Sequence, residues 1–490
     1  MKHYIDIPKT IKFTDILRKD CSFSSNTYKR LIMKNMNFKT LNECLDRDLT
    51  RYDLGYEVGS SAYVKYSNYL FIKSRTLQEY SFLPNFEKSA SEYIKPQSFI
   101  DMNLKENDII ISKDSNIGEV IMLDKDYPNI MLSGALYKLP ITRNKFYILT
   151  MIKHNIFKQQ LDFIVPKGAT IRHAKTLFLD CKIPFPNHNA EQTINFIETI
   201  TKSIIKKEKL IKERFVQTSQ LIENELLNNQ KEADFTYQEP TIRDLQSSGR
   251  LDTGIYSTDF KKTDFLIKNY KNGYFYIDDE NIKSGNTPTI RHISNDENLP
   301  YKWLAPNHFG NYGNIAIDEY IKHTKTNNIN QDCILLVNRG DSTDCGKGLF
   351  YNFKDFGLGH HNQGLYKVFG CDKTKLLFML CFLNTEFMRK YCSLLTTGSK
   401  MKELKKEHFL QIPFPNFQNN IQQKIADLFH NSNANLNYET LNLGNFDELD
   451  NIFCQNAGIY DLNKSIKRLK KILNSNIDKI INDEMVSIVF

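Results

Sequence analysis

Two short polar segments carry side chains that are suited to reading bases in DNA. They are residues 113–116 (KDSN) and residues 338–342 (NRGDS). Lysine or arginine can bond guanine O6 and N7, asparagine can pair with adenine, and aspartate can accept from cytosine N4. The candidate residues are Lys113, Ser115 and Asn116, and Asn338, Arg339, Asp341 and Ser342. The same residue types favour ordinary β-turns, so both interpretations stay open here.

A glycine-led basic stretch follows each polar segment further along the chain. These stretches are residues 168–173 (GATIRH) and 398–402 (GSKMK). A glycine that frees the backbone, followed by hydroxyl and cationic groups, is suited to gripping phosphates. The candidates are Thr170, Arg172 and His173, and Ser399, Lys400 and Lys402. A solvated helix start is the alternative, but the occurrence of the feature in both halves favours a phosphate-binding function.

Two further loops combine amide, hydroxyl and basic groups. Residues 285–292 (GNTPTIRH) supply Asn286, Arg291 and His292 as candidates. We expect their first-half counterpart at residues 59–68 (GSSAYVKYSN), which supply Lys65, Ser67 and Asn68. Each loop could face a DNA groove or be an ordinary exposed loop.

The elements that position these residues are duplicated along the chain. The phrase IPFPN at residues 183–187 recurs at residues 412–416. Other matches keep this spacing to within one residue: LYK at 136–138 and 365–367, Gly118 and Gly346, Phe157 and Phe387, and Gly168 and Gly398. Several short matches in one order at near-constant spacing indicate an internal repeat.

Each half has the same predicted plan. A β-branched run at residues 108–112 and an apolar run at residues 332–337 predict strands that end in the polar turns and resume at 119–122 and 348–351. Apolar spacing then predicts one helix over about 146–161 and one over about 375–394. The prolines of each IPFPN phrase end regular structure before a further helical region.

The two helical regions after the IPFPN phrases differ in continuity. The first is a long helix, and its apolar stripe consists of Ile197, Ile200, Ile204, Ile211, Phe215, Ile222 and Leu226. The second begins with Ile421, Ile425 and Leu428, is interrupted by an Asn-rich segment, and returns at 462–480. A long polar helix needs an apolar partner in water. We therefore expect two globular units with antiparallel helical arms, and packing of each helix on its own unit is the alternative.

Bulk composition is that of an ordinary water-soluble protein. Of the 490 residues, 25% are charged and 41% are hydrophobic. There is no apolar run of roughly 18 residues and no signal-peptide core at the N-terminus, so we expect a cytoplasmic protein. The net charge of +8 is compatible with a polyanionic partner. The nine scattered cysteines lack CxxC spacing, which predicts buried reduced thiols.

No recognised catalytic constellation appears. A phosphate loop, HExxH, GxSxG and an Asn-Pro-Pro-aromatic motif are all missing from the sequence. His360 and His361 lie near Cys371, but adjacent histidines diverge in extended chain, so we interpret them as a turn or surface pair. We therefore expect no catalytic residue and no metal site. A lack of motifs does not by itself exclude an enzyme.

In combination, these features resemble the specificity subunits of type I restriction–modification systems. Residues 108–120 (DIIISKDSNIGEV) resemble that family's strand pair around an Asp-Gly-Thr turn. Residues 168–192 and 398–423 resemble the end of a recognition domain followed by an "IPLPP…EQ" phrase and a conserved helix. Two departures are the turn residues themselves and Ile421-Gln422-Gln423, which lacks the glutamate of Glu191-Gln192.

The resemblance implies an α+β fold with two tandem mixed α/β target-recognition domains, each followed by a long helix, the helices forming an antiparallel coiled coil. The domains would be 1–188 and 231–416, and the spacer helices 189–230 and 417–490, with an insertion at about 431–462.

It also implies a non-catalytic bacterial-defence protein that binds double-stranded DNA and reads a bipartite, asymmetric target. Two methyltransferase subunits, which would bind S-adenosylmethionine, and restriction or translocase subunits would be its partners; the chain itself would hold no cofactor and meet no membrane. Two alternatives stay open: a self-contained DNA methyltransferase or nuclease, and a coiled-coil scaffold that reads no sequence.

Overall fold

The structure is a computed structural model that describes residues 3–19, 21–86, 90–165, 174–231, 234–288, 292–313, 315, 317–322, 328–341, 344–398 and 400–490. It divides into two compact units. Unit 1 comprises residues 1–209, 436–452 and 464–490, and unit 2 comprises residues 210–435 and 453–463. Among the described residues, no helix has the length and apolar character required to cross a membrane. The domain boundaries predicted above stay a prediction.

Unit 1 combines short strands with α-helices. Its strands are β1 (Ile5–Asp6), β2 (Arg30–Leu31), β3 (Phe38–Thr40), β4 (Tyr63–Val64), β5 (Leu70–Ile72), β6 (Ser91–Ile94), β7 (Ile109–Ser112), β8 (Val120–Met122), β9 (Ile130–Leu132), β10 (Leu136–Leu139) and β11 (Lys182–Pro184). Its helices are α1 (Phe13–Arg18), α2 (Lys145–Lys153), α3 (Asn155–Ile164) and the first part of α4 (Ala190–Asn228).

Unit 2 has the same mixture of elements. Its strands are β12 (Tyr274–Phe275), β13 (Ile282–Ser284), β14 (Ile293–Ser294), β15 (Tyr301–Leu304), β16 (Tyr320–Ile321), β17 (Cys333–Val337), β18 (Arg339–Gly340), β19 (Gly348–Tyr351), β20 (Gly359–His361), β21 (Leu365–Val368), β22 (Lys402–Glu403) and β23 (Phe414–Pro415). Its helices are α5 (Ile242–Ser248), α6 (Thr258–Lys268), α7 (Phe353–Phe356), α8 (Lys373–Leu383), α9 (Glu386–Leu395), α10 (Lys406–Phe409) and α11 (Asn419–Phe429). Helices α12 (Phe446–Asn456) and α13 (Ile459–Ile481) contribute residues to both units.

Two strand orders of unit 1 recur in unit 2. Unit 1 contains a sheet of order β4-β6-β5-β9 and unit 2 one of order β14-β16-β15-β20, and in each the last pair is parallel. The order β10-β7-β8 likewise recurs as β21-β17-β19. The repeated LYK phrase lies in β10 and β21, where it pairs with the central strand in both units.

Each core is built on the apolar strand that precedes a polar turn. β7 and β17 are buried along their whole length, as a strand covered on both faces requires. Around them pack Ile72, Leu132 and Leu136 in unit 1 and Leu304, Leu349 and Leu365 in unit 2. The same strand is thus central in both units, and its end carries the polar turn.

The IPFPN phrases occupy equivalent places. In unit 1 the phrase forms β11, which pairs with β3, and in unit 2 it forms β23, which pairs with β12. Proline lacks a backbone donor and suits such short edge pairs. Helices α4 and α11 begin shortly afterwards.

Helix α4 buries the predicted apolar stripe on more than one partner. Ile197, Ile200 and Ile204 are fully buried in unit 1. There, Lys470 of α13 donates to Glu208 at 2.8 Å, whereas Thr150 of α2 lies 2.7 Å from Thr201. The helix therefore packs on its own unit's α2 as well as on the C-terminal helices.

Three helix predictions are corrected. The helix predicted over 146–161 is two helices, because His154 adopts an extended conformation and accepts from the Ile156 amide. The helix predicted over 375–394 is likewise divided, into α8 and α9, at Asn384 and Thr385. The apolar periodicity continues across each break. It therefore does not reveal the single extended residue that caps the second helix. The region predicted as irregular insertion contains α12.

A fourth correction concerns the counterpart of the Gly285 loop. Gly285 donates to the Leu365 carbonyl and Asn286 to that of His361, whereas Gly55 donates to Leu136 and Tyr56 to Leu132. These bonds correspond at the same spacing as the IPFPN phrases, to within one residue. The counterpart is therefore Gly55, four residues before the predicted position, because backbone pairing rather than composition defines the equivalence.

Alanine at Gly55 or Gly285 is expected to destabilise its unit. A Cβ at either position would lie 2.1 Å from a main-chain oxygen, of Ser133 or of His361, and backbone cannot move aside easily. We expect each substitution to lower the free energy of unfolding by about 1–3 kcal/mol, measured by urea unfolding. Gly59→Ala is the control, because its nearest neighbour would be Ser61 Oγ at 3.7 Å. Equal stability of the Gly55 and Gly59 variants would contradict the prediction.

Candidate nucleic-acid interface

The polar turn of unit 2 begins in the protein interior. Asn338, directly after β17, is only 3% exposed, and its side-chain amide donates to the Gln363 carbonyl at 3.1 Å. This amide therefore orients the turn and does not face solvent, where a base edge would be met. Sequence reasoning could not separate the two roles, because asparagine serves both turns and bases.

The residues that follow Asn338 form a short β-ribbon with the glycine-led stretch. Arg339 pairs with Glu403 and Gly340 with Lys402, in antiparallel register. On the other side of Glu403, Thr397 exchanges two backbone hydrogen bonds with it, both of 2.9 Å. We call Arg339–Gly340 together with Lys402–Glu403 the basic ribbon. It unites one segment that was predicted to read bases with one that was predicted to bind phosphates, and the two lie far apart in the sequence.

The connection at the end of the basic ribbon depends on a glycine. Gly398 has φ +101°, and a Cβ there would lie 2.3 Å from the Met401 carbonyl oxygen. The turn leaves Lys400 exposed and Met401 61% exposed. Asp341, at the other end of the ribbon, is exposed as well. A cation and an apolar side chain thus project together beside the ribbon.

An ion pair lies across the basic ribbon. Arg339 Nη2 is 2.6 Å from Glu403 Oε1, and the two side chains are 38% and 37% exposed. Directly paired residues of an antiparallel ribbon share a face, so both heads face solvent on one side, whereas Lys402 lies on the other. Glu403 is not among the candidates predicted from the sequence, although it is an acidic residue directly after a basic stretch.

The polar turn of unit 1 is built on the same backbone scheme. The Ala174 amide donates to the Lys113 carbonyl at 2.9 Å, just as Leu404 donates to Asn338 at 2.8 Å. Ala174 directly follows the first glycine-led stretch, and Leu404 comes shortly after the second. In each unit, therefore, a residue that follows the stretch is bonded to the first residue of the polar turn.

The side chains on that scheme differ between the units. In unit 1 the Lys113 ammonium lies 2.6 Å from the Asp114 carboxylate, and both are mostly buried, at 18% and 14% exposure. Ser115, with φ +62°, and Asn116 are exposed at the tip. Unit 1 thus presents a hydroxyl and an amide where unit 2 presents a guanidinium and a carboxylate.

Both polar turns close on a glycine that the sequence paired. Gly118 donates to the Ser112 carbonyl and Gly346 to that of Val337. Their φ angles are +81° and +83°, and a Cβ would lie 2.3 Å from Leu161 of α3 or 2.8 Å from Cys392 of α9. The predicted equivalence of the two glycines is confirmed, and in each unit a helix supports the turn.

The other candidates lie on separate loops. Lys65 and Asn68 are exposed between β4 and β5, but the Ser67 hydroxyl accepts from the Tyr69 amide and lies 2.7 Å from the Ile94 carbonyl oxygen, so it holds that turn. Asn286 and His292 are exposed before β14. The remaining candidates lie outside the described residues: Thr170, Arg172, His173, Arg291, Ser342 and Ser399. DNA contact by any of these residues stays a prediction.

The interpretation of His360 and His361 as a turn or surface pair is wrong. Both lie in β20 and are buried, on opposite faces, with His360 stacked on Trp303 and His361 Nε2 3.5 Å from the Lys283 carbonyl oxygen. Burial lowers the pKa of His361 to about 3, because the charged imidazolium loses its hydration. The cysteines follow their prediction more closely: all nine lie among the described residues, none forms a disulfide bond, and six are buried.

The buried His361 should make unit 2 sensitive to acid. Its pKa is lower in the folded than in the unfolded chain, so between about 6.5 and 3 the unfolded chain binds the extra proton. Stability is then fully present above pH 6.5 and falls on acidification by at most about 1.4 kcal/mol per pH unit. We expect His361→Asn to flatten the dependence between pH 6.5 and 4.5 in urea unfolding. His292→Asn, at an exposed histidine, is the control, and an unchanged slope in the His361 variant would refute the assignment.

Sequence comparisons give no match: neither a protein-family model nor a curated protein matches this chain. Solved structures do match over 92% of its length. The chain resembles in structure the S subunits of type I restriction–modification systems.

The similar structures are covered almost completely. The type I S subunit from M. genitalium matches with a TM-score of 0.43 and 13% identity over 96% of its length. A chain from a structure on complex assembly and conformational transition of the type I R-M system matches with a TM-score of 0.29 and 12% identity over 98% of its length. The HsdS subunit from Thermoanaerobacter tengcongensis matches with a TM-score of 0.27 and 11% identity over 97% of its length. All three TM-scores are below 0.5.

Proposed function

We propose that this chain is the non-catalytic specificity subunit of a type I restriction–modification system. In this proposal each unit reads one half of a bipartite DNA target. The observation that carries it is the repetition of one backbone scheme with different exposed side chains, Ser115 and Asn116 in unit 1 and Arg339 and Glu403 in unit 2. Equal scaffolds with unequal reading groups are what two different half-sites require.

We further propose that α4 and α13 form the antiparallel coiled coil that spaces the two half-sites. Supporting this, contacts of unit 1 run in opposite chain directions: Asn187, just before α4, donates to Asp483, just after α13, and Glu208 of α4 bonds to Lys470 of α13. A rigid spacer sets the distance between two reading modules along the DNA helix.

The proposed partners supply the chemistry. Two adenine methyltransferase subunits would bind S-adenosylmethionine and transfer its methyl group, and restriction or translocase subunits would join them. This proposal follows from the sequence resemblance, which implies that this chain recognises the DNA and that the partner subunits carry out catalysis.

Methylation mapping tests the proposal. The chain is co-expressed with the adenine methyltransferase encoded beside its gene, and methylated adenines are mapped on genomic DNA. We expect one motif of two unlike half-sites separated by a constant gap. Methyl transfer by the purified chain alone would support the enzyme alternative instead. Equal binding of motif and random duplexes at moderate salt would support a sequence-blind scaffold.

Lys400→Ala should weaken DNA binding without changing its sequence preference. An exposed lysine beside the basic ribbon suits a phosphate, and each lost phosphate contact reduces the slope of log K against log salt by about 0.9. The measurement is a salt titration with motif and random duplexes, with Lys262→Ala, at an exposed residue of α6, as control. A loss of affinity confined to the motif duplex would exclude a phosphate contact.

A further inference from the structure

The basic ribbon contains a donor and an acceptor held side by side. Arg339 and Glu403 face each other across the ribbon at 2.6 Å, and each head remains more than one-third exposed. Both are available to another molecule without unfolding of the ribbon. An ion pair this exposed contributes little to stability, so stability gives no strong reason for its presence.

A carboxylate is an unusual group at a surface meant for DNA. Phosphates repel it, and the neighbouring Lys400, Lys402 and Arg339 would bind phosphates better without it. In the major groove, a carboxylate can accept a hydrogen bond from a base amino group. Cytosine N4 is the amino group from which Glu and Asp accept.

The donor and acceptor groups of the pair complement one base pair. A G·C pair displays guanine N7 and O6 as acceptors beside the N4 amino donor of its cytosine. Arginine bonds the first two with its fork, and glutamate accepts from the third. The major groove is also wide enough to admit a two-stranded β-ribbon.

We infer that Arg339 and Glu403 together read a single G·C base pair in the half-site of unit 2. This rests on the proposed function and adds to it a specificity-determining residue, Glu403, and the identity of one base pair. In free protein the two side chains neutralise each other, and on DNA they exchange this contact for the two bases. Unit 1 has no equivalent reader in its described turn, since its Lys113–Asp114 pair is mostly buried.

Glu403→Gln tests the inference in the complete complex with the methyltransferase subunits. Competition binding compares the motif duplex with duplexes altered at each position. We expect wild-type complex to discriminate for G·C at one position of the unit 2 half-site by roughly tenfold to a hundredfold. Glu403→Gln should lose most of that discrimination and leave the other half-site unchanged. Glu407→Gln, at an exposed glutamate of the neighbouring α10, is the control.

The charge-swapped double variant Arg339→Glu/Glu403→Arg separates reading from a structural role. It keeps an ion pair across the ribbon, so a purely structural pair would restore wild-type discrimination, and that result would overturn the inference. Reading predicts that the G·C preference is lost or reversed to C·G. A bipartite motif with no discriminated G·C pair in that half-site would also overturn it and leave the proposed function intact. Absence of any bipartite motif in the wild type would instead defeat the proposed function.

Discussion

Replacing Asp450 with alanine is expected to lower the free energy of unfolding by about 3–5 kcal/mol, the cost of leaving a buried charge without its partner. The partner is Lys207 of α4, whose side chain is fully buried and whose ammonium contacts the Asp450 carboxylate of α12. Ser203 completes the group: its hydroxyl donates to Asp450 Oδ2 at 2.9 Å and lies 2.6 Å from Lys207 Nζ. The loss should appear in urea unfolding as a lower urea concentration at the midpoint of the transition.

Two further variants decide whether the buried charge is the cause. Lys207→Met/Asp450→Leu removes both charges and should recover most of the lost stability, because apolar pairs of similar volume replace buried ion pairs well. Asp447→Ala, at an exposed aspartate of the same helix, controls for helix propensity. If Asp450→Ala were as stable as Asp447→Ala, the pair would not hold α4 to α12 as the structure indicates.

The second large effect is expected for Arg339→Ala, which should weaken the recognition of one half-site only. A bidentate arginine–guanine contact is worth about 1–3 kcal/mol of discrimination, and truncation leaves Glu403 unpaired close to the phosphates. We therefore expect a roughly fivefold to 150-fold loss of affinity for the motif.

The measurement uses duplexes in which one or the other half-site is scrambled. Arg339→Ala should reduce the selectivity for the unit 2 half-site and leave the protein as selective as wild type for the other. Arg243→Ala, at an exposed arginine of α5, is the matched control. Equal weakening of both half-sites would show that the two units do not read independently.

Much of the repeated architecture was predictable because its signals are local or periodic. The IPFPN phrases, the LYK strands and the paired Gly118 and Gly346 all lie at equivalent places in the two units. Apolar stripes likewise identified the buried face of α4. A glycine with positive φ and an apolar stripe each depend on neighbours close in sequence, so the sequence displays them directly.

The chemistry of the site was decided only by tertiary structure. Asn338 and Arg339 are adjacent and similarly polar. Asn338 is nevertheless buried and donates to the Gln363 carbonyl, whereas Arg339 faces solvent. Glu403 meets Arg339 because backbone hydrogen bonds align two strands that are distant in the sequence. Composition does not contain that register. It is selected by long-range backbone pairing, and a shift of one residue would send every side chain to the opposite face.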